Sequence, residues 1–500
     1  MARHRLDNIP AEILVEICRH LVLPMQSKIH GHGPSMKPQT DSALTCRATL
    51  ARLMRTCRNL HDAAGCMLYS GYYQLWHPSD AYRFLKTLDP HKHEPYYNSS
   101  YARHLSPDDT RRQLVRHVDI HNNMDRRTLS DVPWTKDQAT ITDGTWVEEM
   151  ASEIGMPFTE DWNNCRLVGD REPRDHAAEH INQLLLRYLS NLTTLKITLV
   201  FNWVFSVLEK WVSEQQAEHP SPFRNLRHLK IHLRSLQARS FNCLKVIMNN
   251  APYLSTLEVY DTVSYRTPQH SRLEALRTLK FVNSSMDRGT MKVTLQAVPN
   301  ITHFEYRHSV QNVIVDKQPT LTPQMLCQLL SNEYELTLPP PLNNRGQLAK
   351  ATLPDLHRQL RTLIIDFPFY EGMEPWRNEE AIHDLRHFTK LRNLSININS
   401  IVCKAQGKQN MTINSLENII PDNLETLEIT RVGGYFQELI KNNLPNLAKV
   451  VKEGRFESLG RIEFTGYPGS KDAMIEVQSL LQKMFGWQKK LTIWVTGHVE

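Results

Sequence analysis

An α/β fold is predicted for most of this chain by a recurring strand unit, by the helical stretches between its copies, and by a short all-helical segment that precedes them. The unit reads Leu-x-x-Leu-x-Ile. It occurs at Val115–Ile120, Leu192–Ile197, Leu226–Ile231, Leu254–Val259, Leu276–Phe281, Ile301–Tyr306, Leu360–Ile365, Leu391–Ile396, Leu424–Ile429 and Leu459–Phe464, with Leu491–Ile493 a shortened last copy. The Leu-x-Ile alternation points two side chains to one face of a short strand, and the Leu three residues earlier tucks in at the strand's entrance. Residues 203–215, 236–249, 322–330 and 435–443 carry helical spacing between copies. Strands alternating with helices predict a parallel sheet with the helices on its other side.

The helical segment opens the chain. Pro10 suits the first turn of a helix, where its missing N–H has no intrahelical partner, and Glu12 follows where negative charge suits the helix dipole. Ile9, Ile13, Leu14, Ile17, Cys18 and Leu21 recur at helical spacing until Pro24 ends the run. Leu50, Leu53, Met54, Cys57, Leu60 and Ala64 repeat the pattern. These helices carry more apolar surface than so small a unit can bury against itself, so part of it is predicted to meet a partner.

Composition sets the remaining bounds. A chain of 500 residues, 40% hydrophobic and 22% charged, can hold several domains or one long array. A net charge of +6 does not point to nucleic acid. The eight cysteines, at 18, 46, 57, 66, 165, 243, 327 and 403, form no C-x-x-C pair and fit a reduced compartment, cytoplasmic or nuclear. Glu12, Glu16 and Arg19 break the first apolar run, so no signal peptide is expected, and no stretch reaches the roughly twenty apolar residues of a membrane span.

The N-terminal residues resemble the F-box. The resemblance lies in Ile9-Pro10, Glu12, Ile13, Leu14 and Ile17, then Leu50, Leu53, Cys57-Arg58, Leu60, Ala63-Ala64 and Tyr69. Thr56 stands where the family favours a branched apolar residue, Leu60 and Tyr69 where it favours Trp, and an insert at 25–42 separates the first two helices. The strand units, roughly 22 to 35 residues apart, resemble an irregular leucine-rich-repeat solenoid, whose usual period is about 20 to 29. Only Leu391–Ile401 matches the whole repeat, with Asn399 at the position that hydrogen-bonds backbone between turns; Ser284 replaces that Asn in another copy. The expected organisation is an F-box-like domain over 1–73, a connector over 74–112 and an array over 113–500, interrupted near 121–175 and 307–359. Such interruptions go to loops and often to the binding face. In its insert and uneven repeats the chain resembles fungal-type F-box proteins.

The resemblance implies a substrate receptor of an SCF-type ubiquitin ligase with no catalysis and no cofactor of its own. It would dock on a Skp-type adaptor, and through it a cullin, by Ile9, Pro10, Ile13, Leu14, Ile17, Leu50, Leu53, Cys57 and Leu60, and hold an unidentified protein target on the repeats. A non-ligase repeat scaffold is the alternative. A metal-dependent hydrolase is a further one, because His176-Ala-Ala-Glu179-His180 has the H-x-x-E-H form that on a helix places two imidazoles on one face. No G-x-S-x-G, P-loop or dinucleotide fingerprint occurs. Arg47, Arg52, Arg55 and Arg58 could touch phosphate in a helix-turn-helix reader, but they fit the solvated side of the second F-box helix.

Overall fold

The structure is a computed structural model of the whole chain. It describes residues 9–10, 12–18, 20, 45–46, 48–56, 58–73, 84–85, 87–88, 114–121, 149, 152, 182–189, 191–199, 223–233, 245–264, 273–309, 321–332, 353–368, 376–404, 411–467, 469–486 and 491–497. These divide into two compact units, one of residues 1–229 with 250–253 and the other of 230–249 with 254–500.

In the first unit, helical residues 12–18 (α1), 48–53 (α2) and Arg58–Tyr69 (α3) lead directly into strand β1, Gly71–Tyr73. Strand β1 pairs in parallel with β2, His117–His121, and β2 with β3, Thr194–Leu199. Three residues at the end of the F-box-like segment are thus the first strand of a sheet. Val118 and Ile120 of β2 stand beside Leu195 and Ile197 of β3, all buried. On the opposite face Asp119 and Lys196 stand side by side, and Lys196 Nζ lies 3.0 Å from the carboxylate. Helical residues 182–188 (α4) bury Leu184, Leu185, Leu186 and Tyr188, and the Tyr188 hydroxyl donates to the Leu88 carbonyl at 3.5 Å. Phe84, Leu85 and Leu88 are buried as well, so part of the stretch read as a connector belongs to the core.

Strand β4, His228–Leu233, runs across the division, and a helical turn follows at Lys245–Asn249 (α5). In the second unit β5 (Thr256–Tyr260), β6 (Thr278–Met286), β7 (His303–His308), β8 (Thr362–Asp366), β9 (Asn393–Asn397), β10 (Thr426–Thr430), β11 (Arg461–Tyr467) and β12 (Thr492–Gly497) pair in parallel, each with the next. Register places the repeating unit's residues in rows. Leu257, Leu279, Phe304, Leu363, Leu394, Leu427, Ile462 and Ile493 form one buried row. Val259, Phe281, Tyr306, Ile365, Ile396, Ile429, Phe464 and Val495 form the next. The entrance residues Leu254, Leu276, Ile301, Leu360, Leu391, Leu424 and Leu459 are buried too. Parallel pairing follows because each return to the sheet starts at the same end.

The helices start and stop on local chemistry. Asp287 caps Arg288–Ala297 (α6) by accepting the Thr290 N–H at 2.9 Å. Thr322 caps Pro323–Ser331 (α7), Pro323 occupies the first turn, and Asn332 ends it in the left-handed region at φ 59°. This helix lies within the interruption expected over 307–359, whose first residues, Arg307 and His308, still belong to β7. The helix expected over 435–443 is a tight turn, a short helical stretch and a π-turn that lead into Leu444–Lys452 (α8). The last helix, Lys471–Phe485 (α9), is capped by Ser470 and ended by Gly486 at φ 79°.

The corner after β9 is closed by a residue other than the one expected. Asn397 Oδ1 accepts the Asn399 N–H at 2.9 Å, and its Nδ2 donates to Asp366 at the end of β8 at 2.5 Å. The same device recurs where Asn283, at φ 51°, donates to Asp261. Asn283, beside the Ser284 that stands at the repeat's Asn position, thus holds this corner.

At the end of β7 one buried hydroxyl gathers three polar partners. Tyr306 Oη accepts the Met286 N–H at 3.3 Å and donates to the Ser284 carbonyl at 3.2 Å, with His308 Nδ1 at 3.2 Å. With the phenol proton on Ser284, Nδ1 carries the imidazole proton and donates to the phenol oxygen. Tyr306→Phe leaves all three groups without this partner, and a loss of about 1–3 kcal/mol is expected, read as a lowered urea midpoint.

Candidate functional site

Two surfaces are candidates for a site: the outward side of the first helix, and the face of the second unit's sheet opposite its buried rows. On α1, Leu14 and Cys18 point into a small core completed by Leu50, Leu60, Ala63 and Ala64. Burial raises the Cys18 thiol pKa. Ile13 and Ile17, rotated by about 100° from that pair, are 52% and 47% exposed, and Pro10 is exposed beside them. Solvated β-branched apolar side chains one turn apart leave an unpartnered stripe on a helix whose other side is satisfied.

The expected adaptor-binding residues therefore divide. Pro10, Ile13 and Ile17 face outward. Leu14, Leu50 and Leu60 are buried at 1–4% exposure, and Ile9 and Leu53 are half-buried against them. These five shape the surface from beneath. Cys57 lies outside the described residues. Thr56 is exposed and donates its hydroxyl to the Leu53 carbonyl at 2.7 Å, where a branched apolar residue would have extended the stripe.

On the face of the second unit's sheet opposite the buried rows, register aligns Glu258, Lys280, Glu305, Ile364, Ser395, Glu428, Glu463 and Trp494. Its first part is a charge ladder. Lys280 lies 3.1 Å from Glu258 and 3.9 Å from Glu305, Lys230 3.8 Å from Glu258, and Arg307 2.6 Å from Glu305. Its last part turns acidic and ends on Trp494, 47% exposed. These residues occupy the variable positions of the strand unit, which periodicity alone marks only as outward-facing.

Burial tends to raise the Glu305 carboxyl pKa, but a hydrogen bond from His303 and the charges of Arg307 and Lys280 outweigh it and bring the group down to about 2. Burial alone pushes His308 down to about 4. Both folded values lie below the unfolded ones, so both groups favour the folded state most at neutral pH. The His308 contribution is lost as pH falls from about 6.5 through 4, and that of Glu305 from about 4.5 through 2. The melting temperature is expected to fall progressively below about pH 6.5, and His308→Gln is expected to flatten the upper part of that profile. Thermal unfolding at pH 7, 5 and 4 checks both.

His176, Glu179 and His180 lie outside the described residues, and among the described residues no group of three His, Cys, Asp or Glu side chains is placed to hold a metal ion. Among the described residues, too, no helix is long and apolar enough to cross a membrane. The fold is that of an α/β protein with a large parallel sheet and helices. No family model matches the chain, and no curated protein matches it.

Proposed function

We propose that this chain is the substrate-receptor subunit of an SCF-type ubiquitin ligase, with an F-box in its N-terminal helices and an irregular leucine-rich-repeat array in the parallel strands and helices. The observation that carries the reading is the two-sided character of α1. Its Leu14–Cys18 side closes a core while its Ile13–Ile17 side stays bare next to Pro10. An apolar helical stripe of that kind suits a helical adaptor. The face of the strands opposite the buried rows carries a charge ladder and a terminal Trp, a surface for a folded or extended protein target. The chain would break and make no bonds. It would act by holding target and conjugating enzyme at high effective concentration.

Co-expression with a Skp-type adaptor and a cullin tests the reading. A stoichiometric complex is expected. A folded chain that recovers no adaptor would instead be a repeat scaffold without a ligase role.

A further inference from the structure

Strand β12 pairs with β11 through one edge, and among the described residues no strand pairs with its other edge. The Thr492 N–H donates to the Gly460 carbonyl at 2.9 Å, so this residue turns its backbone groups toward β11. Backbone groups alternate in direction along a parallel strand. Trp494 and Thr496 therefore turn the same way, and the N–H and C=O of Ile493 and Val495 are left at the free edge. Free edges are ordinarily blunted by Lys, Pro or a bulge. Strand β12 reads Thr-Ile-Trp-Val-Thr-Gly, with neither charge nor proline, and the irregularity in its pairing, at Gly466, lies on β11.

The edge is complementary to itself. A two-fold axis through Trp494 sets two copies of β12 antiparallel, so that each residue faces one of its own kind. Thr492 then stands opposite Thr496, Ile493 opposite Val495, and the two Trp494 side chains meet at the axis. Ile493 and Val495, whose backbone groups are free, fall at the hydrogen-bonded pairs. Trp494 falls at the non-hydrogen-bonded pair, where Cα atoms approach to about 4.5 Å and side chains are closest. The faces agree as well, because Ile493 and Val495 are buried on the inner face while Trp494 is about half exposed on the other. Thr–Thr, β-branched and aromatic pairs are those that stabilise neighbouring strands.

We propose that β12 is a self-association edge on which a second copy of this chain docks, extending the sheet across a two-fold axis at Trp494. An uncharged edge offers no charge pattern to select a foreign strand, whereas its own sequence satisfies every cross-strand position in one register. Helix α9 packs on β12, and its Ile475 and Leu480 are also about half exposed. The end of the sheet together with this helix measures about 20 Å by about 20 Å, or about 400 Å² per copy. Stable dimers bury about 800 Å² per partner, so this one forms and separates in the micromolar range. The proposal rests on strand pairing and is independent of the ligase reading.

The test is sedimentation velocity of the full-length chain from about 1 to about 100 µM. Wild type is expected to pass from monomer to dimer across that range. Trp494→Lys and Trp494→Glu each remove the aromatic pair and set like charges opposite one another at the axis, and each is expected to weaken the dimer about tenfold or more. An equimolar mixture of the two variants is expected to regain association, because lysine then faces glutamate. Trp494 lies on the face opposite the buried rows, so the melting temperature of both variants should hold. A wild-type chain that stays monomeric at the top of the range would leave the edge to a strand of another protein and overturn the proposal. Dimers of unchanged strength in both variants, or a mixture that associates no better than either variant alone, would overturn it as well. Self-association is read without adaptor, so its failure leaves the adaptor complex unaffected, and failure of that complex leaves this edge standing.

Discussion

Replacing Ile13 and Ile17 together by aspartate is expected to abolish co-purification of this chain with a Skp-type adaptor while leaving its unfolding unchanged. Both side chains are about half exposed and neither belongs to the core closed by Leu14 and Cys18, so the folded chain gains two solvated carboxylates at small cost. In the proposed complex those positions are buried against apolar surface. A central apolar anchor in an interface contributes about 2 kcal/mol or more, and an unpaired buried carboxylate adds a penalty of its own. The double change should weaken the complex more than about a hundredfold, enough to lose it in a pull-down. Leu14→Asp is the contrasting variant. Leu14 is 1% exposed, so its carboxylate would enter the helices' own core and unfold them. If the Ile13 and Ile17 double variant still binds adaptor stoichiometrically, the F-box reading of α1 is wrong.

The largest expected effect on stability comes from Phe464→Ala. Phe464 is fully buried on the inner face of β11, its ring meets that of Phe436 edge-on at a centroid distance of 5.8 Å, and its register neighbours are Ile429 and Val495. Loss of the ring removes buried apolar area and leaves a cavity that a parallel sheet, held by its neighbours on both sides, cannot collapse to fill. A cost of about 3–5 kcal/mol is expected. Glu463→Ala, one residue earlier and on the opposite face, removes a solvent-facing pair with Arg461 at 2.5 Å and should cost less than about 1 kcal/mol. Urea denaturation of the two variants side by side separates the outcomes. Comparable midpoints would mean that the two faces of the sheet are not the inner and outer faces assigned here.

The sequence by itself determined which residues make the strands and which of them point inward, because side-chain alternation is a local property of an extended chain and the unit repeats many times. From Leu257 to Ile462 the fourth residue of each second-unit copy lies in register with that of the next, and in the shortened last copy Ile493, two residues past Leu491, takes that place. Caps at Thr322 and Ser470 were equally local. Tertiary structure alone decided the rest. The apolar residues of α1 form a stripe too broad for one face, and only packing against α2 and α3 separates Leu14 and Cys18, inside, from Ile13 and Ile17, outside. The corner asparagines could not be assigned from spacing, because Asn397 is matched to an aspartate on the preceding strand, beyond the reach of any local pattern. In sequence, Thr492–Gly497 alternates like the strands before it. It becomes a free edge because, among the described residues, the parallel order ends on β12, and strand order is a property of the assembled sheet.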